Sequence, residues 1–204
     1  MINILNKKGF TLIELLIYIA LAGIASVSMY EIFIINSSAN YHNESVAELY
    51  QDLRASLNMM VREIRMAGYV GDDGDNSFVG FVSDANDENN TDNNSIRFTM
   101  DLTVDQDILD QGEDINYFLR GNSLKRKTIN PSETINIAEN IIGLTFKYFD
   151  ENTNEIKSFA DEDLKKIRSV EIYIKGETAK ADLLMQRKLS KELITRVQIR
   201  NAGL

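Results

Sequence analysis

Two periodicities meet in one stretch of this chain. From Leu15 to Ile35 the residues LLIYIALAGIASVSMYEIFII are apolar almost all round. From Val46 onward the apolar positions thin to one every three or four residues: Val46, Leu49, Tyr50, Leu53, Leu57, Met60, Val61 and Ile64, with Glu48, Asp52, Arg54, Arg62 and Glu63 between them. An apolar run of about 21 residues rises far enough to cross a hydrocarbon core of about 30 Å, whereas a single stripe suits a helix laid on a globular core. The pattern therefore predicts one rod from residue 10 to about residue 66, on the order of 85 Å long, ended at Gly68. Beyond Gly68 come short β-rich runs: FVGFV (78–82), SIRFTM (95–100), INYFLR (115–120), IIGLTFKYF (141–149), SVEIYIK (169–175) and LITRVQIR (193–200). Gly121-Asn122 is a two-residue hairpin signal that makes INYFLR and SLKRKTI antiparallel neighbours. Helix followed by strands reads as α+β, with an antiparallel sheet packed on the long helix.

Composition narrows the function classes. At 204 residues and 44% hydrophobic content the chain supplies one core plus an appendage. Its net charge of −9 argues against a phosphate-backbone binder, so no nucleic-acid contact is expected. There is no cysteine, which removes disulfides, thiolate metal sites and Cys nucleophiles. The only histidine, His42, is read as an exposed helix residue, and no nucleotide-binding or hydrolase motif occurs. The chain does not read as an enzyme, and no cofactor is expected.

The acids are unevenly placed. Residues 72–114 hold thirteen of them against Arg97 alone, a local charge of −12. The tract SDANDENNTDNNS (83–95) reads as a mobile, solvated loop. Calcium at DDGDN (72–76) or DENTNE (150–155) is the alternative, although neither follows the EF-hand spacing; no metal site is assigned.

Two acids stand at or within the membrane run, Glu14 at its start and Glu31 inside it, and Glu14 is the harder to explain. A carboxylate at membrane depth costs a few kcal/mol on insertion scales (roughly 3), while a favourable position on its own helix dipole returns under about 1 kcal/mol. Glu31, near the outer end, reads as a boundary residue reaching the interface. Lys7 and Lys8 precede the run and no basic cluster follows it, which places the N-terminus in the cytoplasm and residues 36–204 across the membrane. A cleaved secretory signal fits less well, because its apolar core is shorter and ends at a small-residue site.

The stretch KKGFTLIELL, residues 7–16, resembles the class III signal of type IV prepilins. The resemblance implies cleavage by prepilin peptidase after Gly9, N-methylation of the new N-terminus Phe10, and an assembly contact in which Glu14 meets the Phe10 amine of a neighbouring subunit or a component of the inner-membrane assembly platform. It implies the divisions 1–9 leader, 10–35 transmembrane and assembly helix, 36–67 amphipathic outer half, and 68–204 β-rich pilin domain. Major pilins generally carry a helix-breaking proline in this helix, and here the single proline is Pro131. The stretches LNMMVREIRMAGY (57–69), NSIRF, AENIIGLTFKYFD (138–150), IRSVEIYI (167–174) and VQIRN (197–201) are similar in order to the PilW family of minor pilins. That implies a subunit of a tip or priming complex with other minor and major pilins as partners, held in the membrane as a precursor and serving adhesion, twitching motility or DNA uptake. The alternatives are a minor pseudopilin of type II secretion, GspJ-like, and a membrane-anchored binding module outside any filament.

Overall fold

The computed structural model describes residues 9–70, 80–83, 90–103, 105, 107–129, 131–181 and 186–200. Helix α1 (Leu12–Ile64) is unbroken over 53 residues, about 80 Å of rod. Its outer half buries Leu49, Leu53, Leu57, Met60 and Ile64, the predicted stripe. Tyr50 departs from the stripe: it is exposed, with the Arg54 guanidinium over its ring at 5.5 Å. The helix ends at Ile64, and its backbone turns through residues 65–68 to Gly68 at φ 71°. There the Gly68 N–H donates to the Thr99 carbonyl (2.9 Å), and Gly80 approaches so closely that a Cβ on it would stand 3.0 Å from the Gly68 nitrogen. Glycine is required on both sides of that crossing.

Among the described residues eight strands follow: β1 (Ser95–Thr99), β2 (Asp114–Arg120), β3 (Ser123–Thr128), β4 (Glu133–Glu139), β5 (Ile141–Phe149), β6 (Glu155–Ile156), β7 (Ser169–Glu177) and β8 (Ser190–Gln198), with a one-turn helix α2 (Asp161–Leu164) before β7. They form two four-stranded antiparallel sheets, ordered β1-β2-β3-β4 and β6-β5-β7-β8. The architecture is α+β, a long helix packed on antiparallel sheets. The predicted hairpin is present, with Arg120 opposite Ser123 and Gly121 at φ 62°. Helix α1 lies against β7 and β8 and flanks β4. Gly176 in β7 lets the rod come close, since a Cβ there would meet Leu49 and Leu53.

Two expectations need correction. Of FVGFV (78–82), Phe81 is buried but makes only an isolated bridge to Phe98; residues 78 and 79 lie outside the described residues. The acidic tract 83–95 is not solvated throughout. Residues 84–89 lie outside the described residues, but Thr91 is buried, with its N–H on the Val82 carbonyl and its hydroxyl on the Arg97 carbonyl. Asp92 accepts from the Asn94 and Ser95 amides, the buried Tyr148 hydroxyl donates to the Asp92 carbonyl (2.8 Å), and Ser95 already belongs to β1. A polar tract here supplies acceptors to the core, which composition alone does not reveal.

Candidate processing and assembly site

The N-terminus of α1 is built by its own side chains. Thr11 is the N-cap: its hydroxyl accepts from the Glu14 amide (3.3 Å), and the Glu14 carboxylate accepts from the Thr11 amide (2.9 Å) and hydroxyl (2.9 Å). This reciprocal capping box satisfies two backbone donors that the first helical turn otherwise leaves open. Both bonds to the carboxylate fall on Oε2. Gly9 and Phe10 lie just outside the helix, Phe10 fully outward at 77% exposure with its ring edge-on to Tyr18 at 6.0 Å. Gly9, Phe10 and Glu14 thus stand at the two edges of the capping turn, within six consecutive residues, whereas Lys7 and Lys8 lie outside the described residues.

From Leu12 to Ile35 the large apolar side chains are exposed, between 45% at Ile34 and 78% at Leu12. The helix is long and apolar enough to cross a membrane. Two serine hydroxyls are closed within the helix, Ser26 on the Ala22 carbonyl (2.8 Å) and Ser28 on the Ile24 carbonyl (3.1 Å), as suits lipid. Glu31 is exposed in the same half.

The far end of the rod is fastened by a polar cluster that the sequence pattern does not show. Glu63 accepts the Tyr117 hydroxyl (2.6 Å) and the Arg126 Nε (3.0 Å), tying α1 to β2 and β3. Burial, then the Glu63 carboxylate, push the Tyr117 phenol well above its ordinary value. The available signal was position: Glu63 is one residue from the buried stripe, and Arg126 shares an inward strand parity with Leu124 and Thr128. Nearby, Arg97 meets Asp114 through two bonds (3.0 and 2.8 Å) on the opposite face of the sheet.

The calcium alternative can be located in part. DDGDN (72–76) lies outside the described residues. In DENTNE the Asp150 carboxylate accepts the amide (2.8 Å) and side-chain Nδ2 (3.0 Å) of Asn154, closing its own turn and lying below the usual carboxylate range for that reason. Asp105, Asp110 and Glu113 also gather, but both Glu113 oxygens accept backbone amides, from Leu102 (2.8 Å), Thr103 (3.1 Å) and Asp110 (3.1 Å). Glu113 is a loop-closing acceptor. His42, expected to be exposed, is half-buried against the start of β8.

Comparison with known proteins matches two family models. Residues 42–199 match prepilin peptidase-dependent protein B, and residues 4–30 match the prokaryotic N-terminal methylation motif. The chain belongs to the prepilin peptidase-dependent protein B family. It is a type IV pilin-like structural subunit rather than an enzyme, with a prepilin signal on its apolar helix. No curated protein matches it. Among solved structures, a type IV-like pilin from Thermus thermophilus is 12% identical, over 77% of this chain and 100% of that one, with a TM-score of 0.49.

Proposed function

We propose that this member of the family is a minor pilin of the PilW kind, cut between Gly9 and Phe10, methylated on Phe10, and carried into a tip or priming complex through Glu14. The observation that carries this reading is the pairing of two features in α1: an apolar half that nothing among the described residues covers, and a carboxylate at its very start. In the processed chain the Phe10 amine becomes a cation beside the capping box. A second subunit's amine can then reach the Glu14 carboxylate without displacing Thr11, because Oε2 alone holds the cap. The division at 9, 35 and 67, and a cytoplasmic N-terminus with the domain across the inner membrane, belong to the same proposal; Lys7 and Lys8 support that orientation. Its partners are prepilin peptidase, other pilins and the assembly platform.

Two measurements test it. Mass spectrometry of the native protein gives Phe10 as the N-terminal residue with one added methyl group; an intact Met1 start in cells with active prepilin peptidase contradicts the reading. Deletion together with neighbouring pilin-like proteins, scored for surface pili and type II secretion in the same cells, removes pili and spares secretion. Loss of secretion alone assigns the chain to a pseudopilin instead.

A further inference from the structure

Just above the apolar half, the base of the domain has two unlike flanks. On one, Glu44, Glu48 and Asp52 of α1 line a groove with Glu139 and Glu177, five acids against the single cation Lys180. Turned roughly 120° round the helix, His42 and Val46 form a cleft of about 320 Å³ with Arg187, Lys188 and Lys191. Strand β8 fixes the cleft at this end. It starts at Ser190 beside His42 and runs along α1 to the far end, where the Arg200 amide donates to the Arg65 carbonyl (3.0 Å). Lys188 is paired with Glu177 (2.6 Å), and Arg187, Lys188 and Lys191 are all exposed.

We propose that this cleft binds the phosphate of an anionic phospholipid headgroup in the membrane that holds α1; the inference rests on the proposed crossing of that membrane by residues 15–35. Height is the first argument. His42 lies seven residues beyond Ile35, about 10 Å along the helix, and the polar layer of one leaflet occupies roughly 5–7 Å of that. The cleft therefore opens at or just above the headgroups, within about one Debye length of their charge and within reach of Lys and Arg side chains that snorkel. Chemistry is the second. The Arg187 guanidinium, the Lys191 ammonium and the Ser190 hydroxyl around one cleft suit a phosphate diester, with Lys188 already neutralised by Glu177, whereas the opposite flank is repelled by the same surface. An anionic membrane thus turns the basic flank down and the acidic flank away, which sets the lean of the domain before assembly. Free phosphate offers the same chemistry, but the lipid is favoured because α1 holds the cleft among headgroups at high effective concentration.

The test uses the full chain in nanodiscs carrying photo-crosslinkable phosphatidylglycerol or phosphatidylcholine, with adducts located by mass spectrometry. Adducts on residues 187–191 are expected from phosphatidylglycerol and several-fold fewer from phosphatidylcholine. Each cation at an anionic surface contributes about fivefold in affinity, so Arg187→Gln with Lys191→Gln lowers the adducts by up to roughly 25-fold, and Arg187→Lys with Lys191→Arg restores them. Glu44→Gln with Glu48→Gln leaves them unchanged or raises them. Millimolar inorganic phosphate leaves them in place. Equal adducts from both lipids, no fall in the double glutamine variant, or abolition by free phosphate would each overturn the proposal. None of these readouts depends on Gly9 processing or on pilus assembly, so a failure here is distinguishable from a failure of the minor-pilin reading.

Discussion

The two halves of α1 share one backbone and opposite fates. Between Leu49 and Ile64 every third or fourth side chain is buried by the chain's own sheets; between Leu12 and Ile35 none of the large apolar ones is. Apolar surface of that extent on a helix suits cover by lipid or by other helices, and nothing among the described residues covers the inner half. The outer half makes the domain, and the inner half makes the protein part of something larger. Glu14 and Glu63 repeat the contrast. Glu63 finds its cation, Arg126, within the fold, while among the described residues Glu14 is held by the hydrogen bonds of Thr11.

The sharpest way to separate the halves is truncation of one leucine in each. Leu53→Ala, fully buried, costs the domain about 2–5 kcal/mol in denaturant unfolding, whereas Leu21→Ala, 57% exposed, leaves domain stability unchanged. Equal effects would mean that the inner half packs on the domain after all. Next comes the fastening at the far end. Glu63→Ala strands a partly buried guanidinium and phenol and lowers stability by about 1–3 kcal/mol; a cycle with Tyr117→Phe shows coupling, because both act through one carboxylate.

The same cluster gives an alkaline limit. Tyr117 has a folded pKa above its unfolded value of 10.0, so the fold binds the proton more tightly than the unfolded chain does. Its contribution is complete below about pH 10 and is lost progressively as pH rises beyond that. Buried Tyr148 shifts in the same direction. Thermal melts from pH 8 to 11 should fall above pH 10, and less steeply in Tyr117→Phe. The smallest effect belongs to the turn that ends the rod: Gly68→Ala, at φ 71°, costs about 1 kcal/mol.

Much of this was legible because periodicity reports burial. The rod, its stripe and the strands 115–120, 141–149 and 169–175 follow from alternation that the core enforces. What escaped detection shares a different cause. Strand β4 alternates only at Ile135 and Ile137, follows a proline and is exposed from Glu133 to Asn136, so its apolar signal is short. The fixed turns at 90–95 look like a loop because their partners, Val82, Arg97 and Tyr148, are tertiary. Tyr50 looked like core because periodicity cannot say how wide the buried stripe is. At the N-terminus, the acid at position 14 was conspicuous in the sequence, and Thr11-Leu12-Ile13-Glu14 also carries the Thr-x-x-Glu spacing of a capping box, the signal for its bond to Thr11.

That bond makes the decisive experiment cleaner. Gln at position 14 keeps the capping box and removes the charge; Leu removes both and inserts into the membrane more easily; Thr11→Ala weakens the cap and leaves the charge. The measurement is co-purification of each variant with partner pilins at matched protein levels, alongside a count of surface pili. If Glu14 serves a cation on another subunit, Glu14→Gln and Glu14→Leu are processed and folded yet fail to co-purify, while Thr11→Ala assembles at close to the normal level. Full co-purification and normal piliation with leucine at position 14 would contradict the account.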